Sequence, residues 1–400
     1  MPRCAAIYLR NAFITSEHKG MKSRLSPKAL VCLCIGVIVA SFFITNAPRL
    51  HICIGQKCHQ NDSVPLRGAQ VSAVHSTWAP GSESEAITLV FVVCGTQAEL
   101  ALVAIKSAIA YSTSPLHLII LADKQNEAQL KKQVESWPSS IKKRVHAQLK
   151  PVPPPTDPDR ALEECASQQL YLPSMLPDID AMLYVGTGIV FVHPVEDIWR
   201  MFYSMNDQEM VGMAPETESI NRNLYLKSLQ PFVEPFGVNS HLLLMNLTRM
   251  RAFEFERRLN ETTLELTNVT ISEVEDALNI IFARNPEAIF TFTCRWNYRA
   301  EHCYKDVLCT DAPVAAVHGA YDEFMYRNPA FMALHQSMQQ YELGNSLLQG
   351  FIEPLKKNLA QQHWDGCHVQ FVRHLEYWRL SAHRVDMVSN RTSPLQGPAN

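Results

Sequence analysis

Two glycines interrupt an apolar stretch in the middle of the chain, and their position indicates close contact with a ligand. The stretch runs from Met182 to Pro194 and has the sequence MLYVGTGIVFVHP. This pattern predicts a buried strand, a tight break at Gly186 and Gly188, and a second short strand. Because glycine has no side chain, the backbone at such a break can approach a ligand closely. We therefore place a candidate binding site at residues 186–188.

The segments upstream predict the sheet that would position this site. Ile87–Val93 and Leu116–Leu121 are apolar enough to be central strands of a parallel sheet, and a segment with helical periodicity follows each of them. A third, alternating strand completes a β-α-β-α-β order, which indicates a right-handed, doubly wound α/β sheet. Ligands in such sheets lie beyond the carboxyl ends of the strands. Cys94, Gly95 and Asp123 follow the two apolar strands and are therefore candidate nucleotide contacts.

An apolar segment near the N-terminus predicts a membrane anchor. Residues 29–47 are uncharged and can form a slightly short membrane helix. The residues before it are strongly basic, and because positive charge stays in the cytosol, we expect the rest of the chain in the lumen of the Golgi or endoplasmic reticulum. A cleaved signal peptide is the alternative, although the basic lead is long for one. The predicted divisions are a cytosolic tail (1–28), an anchor (29–47), a stem (48–86), an α/β domain (87–340) and a helical extension (341–400).

The composition agrees with a lumenal location. The net charge of −3 is too small to indicate a nucleic-acid partner. An even number of cysteines follows the anchor, which predicts disulfides in an oxidising compartment and leaves their pairing open. Cys294, Cys303 and Cys309 lack a Cys-x-x-Cys pair, so their spacing favours disulfides over zinc. Asn-x-Ser/Thr sequons, the acceptors of N-glycosylation, occur at Asn61, Asn246, Asn260, Asn268 and Asn390.

Short motifs between Ile87 and Arg327 occur in the order that is typical of one family. The motifs are Cys94-Gly95, Lys106–Ile109, Cys165–Gln168, Leu183–Val185, Asp197–Trp199, Met213–Glu216, Gly237–Ser240, Met245–Arg251, Leu278–Ile280, Trp296–Arg299 and His318-Gly319. Each motif is weak by itself. In this order the chain resembles the glucoside xylosyltransferases, a branch of glycosyltransferase family eight with the GT-A (Rossmann-like) fold.

The resemblance implies a type II membrane glycoprotein that takes xylose from UDP-xylose. It implies transfer, with retention, to glucose O-linked on EGF-like repeats of the Notch type. Asn239 would lie in the donor-sugar loop, and Glu275 and Asp276 would lie on the catalytic helix. Mn²⁺ held by Asp-x-Asp and a later histidine is also implied. The nucleotide contacts would be Cys94, Gly95, Lys106, Asp123, Gly186, Gly188 and Gly319.

The metal motif is where the chain departs from the family. Gly186 and Gly188 stand where the family has carboxylates, so His318 is the remaining expected ligand. A departing diphosphate needs a counter-charge, which a bound metal supplies as a Lewis acid. One neutral imidazole is a poor site for Mn²⁺, which favours oxygen and imidazole ligands together. In addition, Ala320 and Tyr321 follow the His-Gly pair where a basic residue is usual.

Several alternatives remain open at this level. Arg222, Arg299 or Lys305 could replace the metal, or His193 and His241 could join the matched histidine in a new metal site. Otherwise the chain is a catalytically impaired relative that binds glycoprotein or a partner enzyme, or a lectin-like module that binds UDP-sugar weakly. A cationic side chain that reaches the pocket around residues 186–188 and 318 would favour an enzyme, whereas an apolar or collapsed pocket would favour the impaired relative.

Overall fold

The structure is a computed structural model that describes residues 86–153, 165–227, 230–265, 274–304, 309, 313–362 and 365–391. In these ranges the strands are β1 (Ile87–Val93), β2 (Leu116–Ala122), β3 (Val145–Pro151), β4 (Ala181–Val185), β5 (Ile189–Phe191), β6 (Val211–Pro215), β7 (Val238–Asn246), β8 (Ile289–Thr291) and β9 (Ala316–His318). The α-helices are α1 (Ala98–Ala110), α2 (Lys124–Glu135), α3 (Ser139–Lys142), α4 (Leu172–Met175), α5 (Val195–Trp199), α6 (Leu247–Ala252), α7 (Phe255–Glu265), α8 (Val274–Ala283), α9 (Pro329–Gln340), α10 (Glu353–Ala360) and α11 (Gly366–Val388).

A seven-stranded sheet in the order β3-β2-β1-β4-β7-β6-β8 forms the centre of the described structure. Strands β3, β2, β1 and β4 are mutually parallel, as predicted for a wound α/β sheet. Strand β7 runs antiparallel to both β4 and β6, so the second half of the sheet is mixed. The prediction of a doubly wound sheet therefore holds for the first half, and the antiparallel β7 distinguishes the second half.

The burial of strand β1 explains why its sequence is apolar throughout and could be predicted as a central strand. All seven of its residues are buried, because both faces of the sheet are covered. Leu89 and Phe91 face one hydrophobic cluster, whereas Val90 and Val92 face the other. This alternation follows from the two-residue period of a strand.

A separate two-stranded sheet brings residues near position 188 to residues near position 318. Strand β5 pairs antiparallel with β9, so that Ile189 lies opposite His318. The N–H of Gly319 donates to the carbonyl oxygen of Gly188 at 3.0 Å. The predicted break at Gly186–Gly188 is thereby placed directly beside the matched His-Gly pair.

The cysteines in the described ranges form disulfides. The pairs are Cys94–Cys165, Cys294–Cys309 and Cys303–Cys367. The expectation of disulfides over zinc for the three cysteines between 294 and 309 is confirmed. The Cys303–Cys367 bond links the region before β9 to α11, and Phe371 and Trp378 of that helix belong to the same hydrophobic cluster as Leu89.

The predicted anchor (29–47) and stem (48–86, except for its last residue) lie outside the described residues. Within the described ranges, every helix is too short or too polar to cross a membrane. Of the sequons, Asn246 is 3% exposed and its side chain caps α6 by accepting the Arg249 N–H, so it is a poor acceptor for glycosylation. Asn260 and Asn390 are exposed.

Candidate functional site

An open cavity of about 860 Å³ lies beside Gly188 and Gly319. Its walls come from the turn after β1, the β4–β5 break, the start of β7, the first turn of α8, the segment after Trp296 and the turn after β9. The lining residues are Thr96, Gln97, Leu100, Thr187, Gly188, Glu216, Tyr225, Asn239, His241, Glu275, Asp276, Arg299, Ala300, Glu301, His318, Gly319, Ala320, Tyr321 and Glu323. The pocket is open, and most of its lining residues are polar or charged.

His241 and His318 form one wall of this pocket. Their ring centroids are 4.2 Å apart, and the rings are tilted by 35°. The Nδ1 atom of His318 lies 2.8 Å from Oδ1 of Asn297, whose amide nitrogen donates to the Pro215 carbonyl. This orientation makes Nδ1 the donor and leaves Nε2 of His318 as an acceptor for a ligand. Burial, together with the nearby His241, lowers the pKa of His318 well below its ordinary value, so the ring is neutral.

The two glycines of the break are closely packed where a side chain would begin. A Cβ at residue 186 would lie 3.0 Å from the carbonyl oxygen of His241 and 3.1 Å from its ring. A Cβ at residue 188 would lie 2.4 Å from the carbonyl oxygen of Gly319. The backbone itself thus occupies the space that a carboxylate side chain at residue 188 would need.

The residues present do not fit Mn²⁺ at the position that the family motif implies. In the described part of the chain, the three-ligand cluster close enough to hold a metal consists of Glu218, Glu301 and His302, without His318. Nδ1 of His302 accepts the N–H of Arg299, and its Nε2 contacts Glu218. Since both ring nitrogens are used and Glu301 is paired with Arg299, this cluster is an ion-pair network.

Arg299 is the one arginine or lysine among the described lining residues. Its Nη1 lies 3.3 Å from Oε2 of Glu216, and its Nη2 lies 2.5 Å from Oε1 of Glu301. Nη1 is buried without a hydrogen-bond partner. A cation therefore reaches the pocket, although two carboxylates already neutralise it. Of the other proposed cations, Arg222 lies over the ring of Tyr304 at 5.6 Å, and residue 305 falls outside the described ranges.

The carboxylates of the pocket differ in their environments. Burial raises the pKa of Glu216, and Arg299 partly offsets this effect. Burial and the neighbouring Glu275 raise the pKa of Asp276. Burial alone would raise the pKa of Glu275, but the ring of His241, whose Nδ1 lies 3.4 Å from its Oε1, and the hydroxyl of Ser240 lower it to about 2. Glu275 is therefore fixed as an anion, whereas Asp276 is more easily protonated.

The predicted catalytic residues meet in this pocket. Asn239 donates from Nδ2 to Glu216 at 2.6 Å and accepts the N–H of His241 at 3.1 Å, so it organises the wall. Glu275 accepts the Ser240 hydroxyl at 2.5 Å. Asp276 lies beside it in the first turn of α8 and is less enclosed. Gly188, His318 and Gly319 also line the pocket as predicted.

Another group of predicted contacts lies just outside the pocket wall. Cys94 is bonded to Cys165, and the N–H of Gly95 donates to Asp123 at 2.6 Å. Asp123 also caps α2 by accepting the Asn126 N–H. In the described structure these residues shape the turn after β1, and Thr96 and Gln97, which follow, are the ones that line the pocket. Gly186 lies behind His241.

Lys106 is placed in a different cavity, of about 410 Å³, between α1 and α2. Its Nζ donates to the carbonyl oxygens of Gln339 at 2.6 Å and Tyr341 at 2.9 Å. These bonds join α1 to the end of α9. The structure thus gives Lys106 a packing role, and the expected nucleotide contact is not made from this position. His193 likewise serves packing, between Asp197 and Ser381.

Sequence reasoning did not single out Glu216, Glu301 or Glu323 as pocket residues. A signal existed for Glu216, which ends a matched motif, but Glu301 and Glu323 lie outside the motifs. The backbone N–H of Ala320 donates to Glu323 at 2.9 Å and so orients that carboxylate. No sequence motif had indicated this turn. Only the folded arrangement shows that these acids share one cavity.

The mixed α/β sheet, with its pocket beyond the strand ends, has the Rossmann-like arrangement expected of a GT-A glycosyltransferase. No protein-family model matches the chain. Glucoside xylosyltransferase 1 of Mus musculus is 33% identical over 300 residues, which are 69% of this chain and 73% of that protein. Glucoside xylosyltransferase 1 of Danio rerio is 33% identical over 71% of this chain and 75% of that protein. The chain belongs to the glucoside xylosyltransferase family.

One further relative and one solved structure are also similar to this chain. Glucoside xylosyltransferase 2 of Mus musculus is 34% identical over 292 residues, and the match spans 65% of that protein's length and 68% of this chain. Among solved structures, mouse xyloside xylosyltransferase 1 in its apo form is similar with a TM-score of 0.47 and 13% identity, covering 59% of this chain and 98% of that one.

Proposed function

We propose that this chain transfers xylose from UDP-xylose, with retention, onto glucose O-linked to EGF-like repeats of the Notch type. The observation that supports this proposal is the open pocket of about 860 Å³, in which Asn239, Glu275 and Asp276 converge. The pocket has the size of a small-molecule site, and its polar groups come from several separate elements of the fold. Membership of the glucoside xylosyltransferase family supports the xylosyl-transfer part of this proposal.

The pocket residues have separate tasks in this proposal. Thr96 and Gln97 lie at the carboxyl end of β1, where a nucleotide binds in wound sheets. Asn239 and Glu216 hold each other and fix the wall that would face the donor sugar. Asp276, with its raised pKa, is the group best placed to exchange a proton with a sugar hydroxyl.

The departure of a diphosphate is the step that tests the proposal most severely. Mn²⁺ does not fit the residues present, so no step is assigned to it. Arg299 is the cation in reach, and it would have to exchange a carboxylate partner for a phosphate oxygen. Because Arg299 would have to give up an ion pair for this step, a second candidate function is a catalytically impaired relative that binds glycoprotein or a partner transferase. The specific observation for it is the closed space at residue 188.

The cellular setting belongs to the same proposal. We propose a type II, single-pass membrane glycoprotein of the Golgi or endoplasmic reticulum, with the anchor at residues 29–47. The disulfides among the described residues support an oxidising compartment. Asn260 and Asn390, both exposed, are the sequons in the described ranges that are open to glycosylation.

A direct assay decides between the two candidates. The purified chain is incubated with UDP-xylose and an O-glucosylated EGF repeat, with Mn²⁺ or with EDTA, and the mass of the repeat is followed. We expect addition of one xylose in both conditions, and loss of this activity in Asp276→Asn. A chain that binds the repeat but transfers nothing in either condition would support the impaired relative instead.

A further inference from the structure

A second cavity, of about 410 Å³, is separate from the pocket of about 860 Å³. The two cavities share no lining residue in the described part of the chain. One face of α1 lines the second cavity with residues at helical spacing, namely Glu99, Leu102, Val103 and Lys106. The cavity is large enough for a small molecule.

The wall of this second cavity is mainly apolar. Leu102 and Val103 of α1 face Leu130 and Val134 of α2, and Trp137, which follows α2, completes this part of the lining. Leu102 and Val134 are partly exposed, so some of this apolar surface is in contact with solvent. Because covering such surface removes it from water, the wall favours a ligand with a hydrocarbon part.

One positive charge lies in this apolar wall. The ammonium group of Lys106 donates to the carbonyl oxygens of Gln339 and Tyr341. An ammonium group has three N–H donors, so one donor remains. No carboxylate forms an ion pair with this ammonium group among the residues that the structure describes, and burial lowers the pKa of Lys106, an effect that the charge of Glu342 only partly offsets.

Two acidic side chains of this region bind amide groups instead of the lysine. Glu99 lines the cavity and accepts from Nε2 of Gln339 at 2.9 Å. Glu342 accepts from Nδ2 of Asn345 at 3.1 Å. The charge in the cavity wall therefore remains for a ligand that brings its own anion.

We propose that this cavity is a binding site for a small amphipathic carboxylate, whose hydrocarbon part packs between α1 and α2 and whose carboxylate accepts the remaining N–H of Lys106. A hydrogen bond between an ammonium group and a carboxylate is roughly twice as strong as one between neutral groups. The site uses neither nucleotide, sugar nor metal. It is therefore independent of xylosyl transfer, and binding of the carboxylate by a chain that transfers no xylose would support this site alone.

The test compares two ligands that have the same chain and differ in the charge of the head group. Saturation-transfer NMR of the intact protein is recorded with octanoate and with octanamide. We expect octanoate to bind with a dissociation constant on the order of 0.1–1 mM. Octanamide should bind about tenfold more weakly, because its head group is neutral. No binding of octanoate, or equal binding of the two ligands, would overturn the proposal.

Substitution of the lysine tests the charged contact. Lys106→Met keeps the length of the side chain and removes the ammonium group, so it should weaken octanoate binding about tenfold and abolish the preference over octanamide. Lys131→Met is the matched control, because Lys131 is exposed on α2 and does not line the cavity. Unchanged octanoate binding in a folded Lys106→Met chain would refute the contact.

A variant that fills the cavity tests the location without touching the charge. Val134→Trp adds an indole ring from a partly exposed position of the wall and should abolish the binding of both ligands. Circular dichroism checks that each variant is folded. If Lys106→Met does not fold, because α1 loses its bonds to Gln339 and Tyr341, the cavity-filling variant and the comparison of the two ligands still decide. Octanoate that binds equally well to Val134→Trp would show that it binds elsewhere.

Discussion

The α-carbon of Gly188 faces the carbonyl oxygen of Gly319 so closely that a Cβ at residue 188 would lie 2.4 Å from that oxygen. The N–H of Gly319 also donates to the carbonyl of Gly188, which locks the two backbones together. This contact explains why the break between β4 and β5 contains glycine, and it means that the family's carboxylate cannot simply be restored there.

Gly188→Asp should destabilise the protein and should not create a Mn²⁺ site. The new Cβ must displace backbone, which costs about 1–3 kcal/mol or more. Urea unfolding measures the cost, and the paramagnetic resonance of Mn²⁺ measures binding. Thr187→Asp is the control, since it adds the same charge in the same turn at a partly exposed position. A stable Gly188→Asp chain that binds Mn²⁺ tightly would show that this turn can open.

Because we do not expect Mn²⁺ to bind in this pocket, it should leave the melting temperature of the natural chain unchanged. A metal present at a hundred times its dissociation constant stabilises a folded protein by about 2.7 kcal/mol, which a thermal melt detects easily. We expect the same melting temperature in 1 mM MnCl₂ and in EDTA, and the same result for His318→Ala. A melting temperature that rises with Mn²⁺ in the natural chain but not in His318→Ala would contradict the conclusion that this pocket does not fit Mn²⁺.

Arg299→Gln should lower the free energy of unfolding by about 3 kcal/mol, because it leaves Glu216 and Glu301 without their cation. The Arg299 side chain is only 13% exposed. Arg327→Gln is the matched control: the Arg327 side chain is 70% exposed, and its pair with Asp322 should contribute at most about 1 kcal/mol. Equal losses in the two variants would mean that the buried network does not hold the segment after Trp296.

Glu275 should contribute stability that disappears in acid. Its pKa is lowered from 4.5 to about 2 in the folded state, so its contribution is complete above pH 4.5 and is lost as the pH falls towards 2. We expect the difference in unfolding free energy between the natural chain and Glu275→Gln to shrink over that window, as measured by urea unfolding at each pH. Ser240→Ala, which removes a hydrogen bond to this carboxylate, should make the pH dependence smaller. A difference that is constant from pH 6 to pH 2 would contradict the assignment.

The Cys94–Cys165 disulfide should contribute more than the Cys294–Cys309 disulfide. The first closes a sequence separation of 71 residues and the second one of 15. Loop-closure entropy gives about 4 and about 3 kcal/mol for these lengths. Paired Cys→Ala substitutions compared by urea unfolding measure both values. A larger loss for the shorter loop would show that local packing, not chain entropy, sets the contribution.

The central strands could be predicted because their signal is local. Ile87–Val93 is apolar throughout, and burial on both faces of a sheet requires such a run. The antiparallel direction of β7 was not predictable in the same way, because strand direction depends on the connection that precedes the strand and not on its own residues. The resemblance to the family predicted that Asn239, Asp276 and His318 belong to one site, and the structure places all three in one pocket.

The sequence by itself determined the wound α/β sheet, the family and the absence of side chains at residues 186 and 188, since each of these follows from residue type and order. Tertiary structure alone decided that Glu216, Arg299 and Glu301 form one network, that Lys106 joins two helices away from the pocket, and that Tyr321 lines the pocket. The physical reason is that these contacts join segments that are far apart in the sequence. The β5–β9 pairing and the mixed sheet bring those segments together, and no local sequence pattern indicates which segments will meet.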